Sequence, residues 1–310
     1  MKRLIYSLLT ISVCIFALGC PAASSQTVRE TVKDELPAFR KIILGGDFQL
    51  ELRYGKQYRA AVEAEELLAD YVLFSVAENT LSVSLDERKI PTEVKRMFRG
   101  RNATTPTFRV TVTMPESLSA LRLEDRASLV SAEDLVADPD GIEISVVDNA
   151  VVKAFTFSAS RVSVTMERKG EATMDVRCDS LDVQMSGNSR LTVTQHAGKA
   201  SYALAFNANL QAGGEAERLF VNGKAASKAI LNGRAATVSY KLINAANVNA
   251  VNLAAEEARV EMSGLCALTE AATGDLYVDL SSGASLTFLN DPRIHIVRVK
   301  GASFLPYDTK

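Results

Sequence analysis

The sequence predicts an all-β chain, a single-stranded, right-handed parallel β-helix with about 20 residues per rung. Three observations point there. From about Phe39 onward, apolar and polar residues alternate at period two, and the only helix-like piece is the short "AEELLADYV" at 64–72. The octets "MSGNSRLT" (185–192) and "MSGLCALT" (262–269) are near copies, with "LSSGASLT" (280–287) a third relative. Apolar anchors then recur at Leu123, Val146, Met166, Met185, Leu204, Val221, Leu242, Met262 and Leu280, in steps of 23, 20, 19, 19, 17, 21, 20 and 18 residues.

The flanking columns agree with that period. Two residues before each anchor stand Leu121, Ile144, Val164, Val183, Tyr202, Leu219, Tyr240, Val260 and Val278. Six residues after it stand Leu129, Val152, Ala172, Leu191, Leu210, Ser227, Val248, Leu268 and Leu286, with Ser227 the one exception. Small or polar residues such as Ser186, Gly187, Ser263 and Gly264 fill the corner between two strands. Asn149, Asn188 and Asn207 share a slot three past their anchors, where Asn suits left-handed geometry and a partial hydrogen-bonding ladder. One such unit cannot bury its apolar face, so it stacks on its neighbours at ~4.8 Å per rung. A sustained leucine-rich-repeat signature is missing; a β-sandwich with turns every ten residues or so is the serious alternative.

Ahead of the repeats the chain divides by composition. Residues 1–20 read as a signal peptide: Lys2 and Arg3 precede an apolar run, Leu4 to Leu18, and "ALGC" ends at Cys20. That ending resembles a bacterial lipobox, with Cys20 as the acylated residue, although Ala17 is a less usual opening than Leu. Cleavage after "ASS", leaving Gln26 first, is the competing expectation. Residues 21–38 are a polar tether, 39–115 an N-terminal β-rich part, 116–304 the repetitive β-helix and 305–310 a tail. Within the N-terminal part, the loop 86–106 gathers Arg88, Lys89, Lys95, Arg96, Arg99 and Arg101 around Met97 and Phe98. It reads either as a docking loop for phosphate, acidic polysaccharide or protein, or as a solvated surface loop.

Composition narrows the function classes. A net charge of −2 gives no field for nucleic acid. The absence of Trp argues against a carbohydrate cleft built on indole platforms. Cys178 and Cys266 lie four to five rungs apart, about 20 Å at the rung spacing. A disulfide needs Cα atoms within about 7 Å. Two separate thiols are expected.

The order of features is similar to the GIN-type auto-transporter adhesin head domain family, common in exported proteins of Bacteroidetes-like bacteria. The opening "FRKIILGGDFQLELRYGKQYRAAVEAEELLADYV" and "FRVTVTMPESLSALRLEDRASL" carry the resemblance. So do the rungs "LDVQMSGNSRLTV" and "ARVEMSGLCALTE" and the closing "LTFLNDPRIHIVRVKGAS". It covers roughly 39–304; this chain departs in having less Gly at its corners and in its long basic loop. The resemblance implies a right-handed β-helix and an adhesin role, with no catalytic or ligand-binding residues to carry over.

Little in the sequence speaks for catalysis. His196 and His295 fall in different rungs, so neither a histidine metal site nor a Ser-His-Asp triad is expected, and no cofactor is implied. "GGD" (45–47) and "GGE" (213–215) are turns. Asp125 and Asp148 occupy equivalent slots in successive rungs, a spacing that could pair carboxylates for glycoside chemistry, though corner acids also arise for turn reasons. Ser145, Thr165, Gln184, Ser201, Lys241, Glu261 and Asp279 make a flat hydrophilic wall. The expectation is a non-enzymatic envelope β-helix that binds an unidentified protein or glycan and meets the membrane through acylated Cys20. A periplasm-facing scaffold and a β-helical carbohydrate-active enzyme are the alternatives.

Overall fold

The computed structural model describes residues 27–98, 105–133 and 137–307. All of its strands join one 21-stranded sheet wound into a parallel β-solenoid of about 10 turns. Each turn through the middle of the molecule is a single long strand: Glu171–Met185, Arg190–Leu204, Asn209–Ala225, Lys228–Asn244 and Asn247–Gly264. The return leg is therefore hydrogen-bonded strand as well, and the one regular break is the tight corner. Such a strand encloses a core by shifting phase once. In Glu171–Met185, Ala172, Met174 and Val176 face inward, then Leu181, Val183 and Met185 do. The bend lies between them, where Cys178 is half-buried.

The anchor column runs Leu44, Leu123, Val146, Met166, Met185, Leu204, Gly223, Leu242, Met262, Leu280. Val221, the anchor expected from hydrophobicity, instead pairs with Tyr202 and Tyr240 in the preceding inward column. With Gly223 in place the steps on either side become equal, and the irregular 17 and 21 disappear. Ala229, not Ser227, then continues the column of Leu210 and Val248. Gly is found here because a Cβ would lie 2.9 Å from Ala246 Cβ and 3.0 Å from Leu242 Cδ2. The neighbouring leucine fills the volume that the anchor of this rung would otherwise occupy.

The corner is one motif repeated. Two residues past the anchor the backbone is left-handed, at Gly46, Asp125, Asp148, Arg168, Gly187, Phe206, Ala225, Asn244, Gly264 and Ser282, with φ from 57° to 90°. Asn149, Asn188 and Asn207 come one residue later, so they do not supply the left-handed geometry assigned to them from the sequence. Their backbone N–H groups bond down the stack instead, as Asn207 does to the Gly187 carbonyl at 3.0 Å. Four residues past the anchor is a buried column of small side chains: Ala127, Ala150, Ser189, Ala208, Ser227, Ala246, Cys266 and Ala284. Only the first rung differs, with the fully buried Phe48 in this slot. Ser227 belongs to this column, and so does Cys266, whose thiol is a small buried side chain that donates to the Ser263 carbonyl at 3.4 Å. Both cysteines are free, as expected.

Two tyrosines enter the core with polar company. The Tyr202 hydroxyl donates to Gln195 Oε1. Tyr240 faces Glu270, a fully buried carboxyl, but the two lie outside ordinary hydrogen-bond geometry. Burial pushes Glu270 up to about 8, so the side chain is protonated at neutral pH.

At the N-terminal end, stacking order and sequence order part. Lys41–Leu44 lies between Thr80–Leu85 and Ala120–Leu123. Likewise Gln49–Tyr54 lies between Phe108–Met114 and Ser128–Glu133. Antiparallel strands Val72–Ala77, Arg59–Glu65 and Val28–Lys33 and the short helix Glu66–Ala69 extend this end. The C-terminal end has no such addition among the described residues. Arg293–Lys300 pairs only with Ala267–Ser281.

Candidate functional site: an axial groove beside the corner

The residues immediately before and after each anchor both point outward, because inward and outward positions alternate along a strand. Between them the chain bends inward over the anchor. Stacking repeats this hollow and makes a groove parallel to the solenoid axis, a cleft of about 460 Å³. One rail is Thr165, Gln184, Ala203, Asn222 and Lys241, in register. The other includes Glu167, Ser186, Ala205 and Lys224. Ala203 and Ala205 flank Leu204 at the middle of the groove and are the shortest side chains of the two rails. Four rung steps give a length of about 19 Å. Ser201 of the hydrophilic wall sits two residues farther from the anchor than its companions, in register with Asp182 and Phe220, and Ala203 holds the place beside the anchor.

The rails carry mostly neutral polar side chains over an apolar floor of Met166, Met185 and Leu204, with Glu167 towards one end and Lys224 and Lys241 towards the other. Lys241 pairs with Glu261 at 3.0 Å, while Lys224 is exposed. In the next outward column of the same wall, which runs Ser201, Phe220, Ser239, Arg259, Tyr277, His295, the character changes. Lys199 Nζ lies 5.3 Å from the Phe220 ring centre, and the Arg259 guanidinium 5.0 Å from that of Tyr277. Tyr277 stacks on His295 at 4.5 Å and 12°. Asp275 contacts His295 Nε2 at 2.7 Å and accepts from Arg293 at 2.8 Å, and these hydrogen bonds hold its carboxyl below the usual carboxylate range.

The residues singled out for chemistry are placed apart. His295 is in this wall, whereas His196 lies at the return bend near Cys178 and Glu215. No group of three or more metal-ligating side chains occurs among the described residues. Asp125 and Asp148 are both left-handed corner residues, each with a structural bond: Asp125 Oδ2 accepts from the Gly46 N–H at 2.9 Å, and Asp148 pairs with Arg168 of the next rung.

In the basic loop, Lys95 and Arg96 lie on a short helix, Thr92–Met97, and Lys89 pairs with Asp86 at 3.1 Å. Arg88 is exposed on the turn before the helix. Ile90 is buried and Phe98 packs on the core, so the segment is fastened at both sides of the helix. Arg99 and Arg101 lie outside the described residues, as does Cys20. The helix and the groove escaped the sequence reading: "TEVKRM" is too short for a period to show, and the groove needs the exact register of Ala203 against Asn222.

The molecule is a parallel β-solenoid with a polar wall, its candidate acids Asp125 and Asp148 engaged in the corners. Comparison makes this specific. The chain belongs to the family described as "Putative auto-transporter adhesin, head GIN domain", whose model matches residues 38–216 and 204–292. Among solved structures it is similar to a "Putative lipid binding protein" from Parabacteroides distasonis, at 15% identity over 92% of this chain and 98% of that one, with a TM-score of 0.54. It also matches a "putative adhesin" from the same species, at 13% identity over 91% and 98% of the two chains and a TM-score of 0.48. Another "putative adhesin", from Parabacteroides merdae, matches at 12% identity over 92% and 98%, also with a TM-score of 0.48. The first of these likenesses shows a shared fold and nothing finer. No curated protein matches the chain.

Proposed function

We propose that this protein is a non-enzymatic, adhesin-like binding module of the cell envelope that holds an extended glycan along the axial groove. The observation that carries the reading is the groove itself. Its rails present Thr165, Gln184, Ser186 and Asn222, neutral donors and acceptors suited to hydroxyl-rich ligands, over a gap kept open by Ala203 and Ala205. The exposed Lys224 towards one end favours an acidic sugar there. The family description supports an adhesin-like role. Export by the signal sequence and acylation of Cys20 complete the proposal, and set the solenoid on a membrane by its N-terminal side.

A glycan array with product analysis tests it, comparing the native chain with Ala203→Arg. The exposed substitution leaves folding unchanged and puts a long side chain into the middle of the groove. Retention without cleavage, lost in Ala203→Arg, is expected. Binding that survives the substitution, or cleaved products, would overturn the reading. Mass spectrometry of the exported N-terminus checks the anchor; an unmodified Gln26 start would remove it.

A further inference from the structure

We propose that the outer wall carries a seat for one neutral pyranose ring, between the Phe220 ring and the Arg259 side chain at the level of Ser239. In the outward column that holds these residues, the large side chains lie against one another. Lys199, from the rung below, covers one face of Phe220 at 5.3 Å. Farther along, Arg259 from the rung below and His295 from the rung above cover Tyr277 at 5.0 Å and 4.5 Å. Ser239 interrupts this series, because its side chain is too short to reach over either neighbour. The second face of Phe220 therefore has no flat group of the column against it. Arg259 lies two rungs beyond Phe220, ~9.6 Å away along the axis. That separation admits one flat ring at the spacing found around Tyr277.

The level of Ser239 lies in a cleft of about 380 Å³ whose other rail includes Asn222, Lys241, Glu261 and Asp279. Asn222 and Lys241 also line the axial groove, so the two clefts run side by side. The inference rests on the reading of a glycan along that groove and gives one of its sugar residues a position.

Charge decides the class of ring. Each ionised side chain around the cleft has its own partner: Arg259 has Glu257 at 2.6 Å, Lys241 has Glu261 at 3.0 Å, and Asp279 has Arg298 at 2.7 Å. No charge is left over to select a carboxylate, a phosphate or a cation. What remains is one apolar ring face beside the Ser239 hydroxyl, the Asn222 amide and the outer edges of the ion pairs. A pyranose has the matching build, with C–H groups on one face and hydroxyls around its edge. A planar aromatic ligand would match Phe220 alone and would strip water from the polar rim without replacing it.

Saturation-transfer NMR on the exported full-length protein tests this, with methyl β-D-galactopyranoside and methyl β-D-glucopyranoside as probes. The uronic acid of the second glycoside and p-cresol serve as controls. Saturating the aromatic protons is expected to transfer to the C–H protons of one sugar face, with an upfield ring-current shift of the same protons. Ser239→Tyr occupies the level with a ring of the protein's own. It abolishes the transfer and leaves the melting temperature unchanged or raised. Phe220→Ala abolishes the transfer as well, whereas Ala203→Arg leaves it intact. Transfer that survives Ser239→Tyr, or a lowered melting temperature in that variant, would overturn the proposal. So would no transfer to either pyranoside, or transfer to the uronic acid or p-cresol of equal strength. Transfer lost in Ala203→Arg but kept in Ser239→Tyr would sink this seat and leave the groove reading standing. Array binding that survives Ala203→Arg but is lost in Ser239→Tyr would do the reverse.

Discussion

Replacing Glu270 by Gln tests the energetics of the core. Glu270 is fully buried in register with Ala250 below and Phe288 above, and burial raises its carboxyl from 4.5 to about 8. In the folded chain the proton is retained up to that pH; in the unfolded chain it is lost above 4.5. The stabilising contribution of the neutral carboxyl is thus complete below pH 4.5, declines as pH rises toward about 8, and is gone above it. Each pH unit in that window is worth about 1.4 kcal/mol, so the whole decline is about 5 kcal/mol. Glu270→Gln removes the titration, and its amide has the hydrogen-bonding capacity that Gln195 uses toward Tyr202. Urea denaturation of both proteins between pH 5 and 9 reads the difference, because every other group titrates alike in the two. The variant gains on the native chain as pH rises, by several kcal/mol at pH 9. Profiles that stay parallel to within about 1 kcal/mol would refute the assignment of Glu270 as a buried, neutral acid.

Two left-handed positions, Gly233 at the return bend and Phe206 at a corner, make further predictions. Gly233 has φ +106°, and a Cβ there would lie 2.0 Å from the Gly214 carbonyl oxygen; Gly233→Ala therefore destabilises by about 3 kcal/mol or more, read as a lowered melting temperature. Phe206 is an exposed aromatic at φ 61°, and Phe206→Gly relieves a left-handed strain of about 1 kcal/mol, so a small rise in stability is expected; a fall would mean the ring is packed. The thiols give a chemical check. Burial pushes Cys178 up to about 11 and raises Cys266 as well, so peptide mapping after iodoacetamide treatment at pH 7 finds both largely unmodified in the native protein, both modified in urea, and no Cys178–Cys266 crosslink.

Most of the fold was legible because a solenoid repeats its instructions. Met185 and Met262 do the same work four rungs apart, and their octets now read position by position: an inward anchor, an outward Ser, a left-handed Gly, and a small buried residue, Ser189 or Cys266, before the next inward Leu. The likeness of the octets reports the corner. Hydrophobicity alone misplaces one anchor. Gly223 carries no apolar signal, so Val221 stood in for it and Ser227 became an exception that the small-residue column explains.

Period, corner chemistry and the separation of Cys178 from Cys266 follow from the sequence alone, since they depend on residues close together in one rung and on counting rungs. Three features needed the tertiary structure. The rung order at the N-terminal end places Lys41–Leu44 between strands that come later in the chain, an arrangement set by long-range pairing that no local pattern encodes. The axial groove exists only when Ala203 and Ala205 are stacked in register with their polar neighbours. The open C-terminal edge is visible only as exposure, because Ile296 and Val297 look like core residues until it is seen that no further rung of this chain covers them among the described residues.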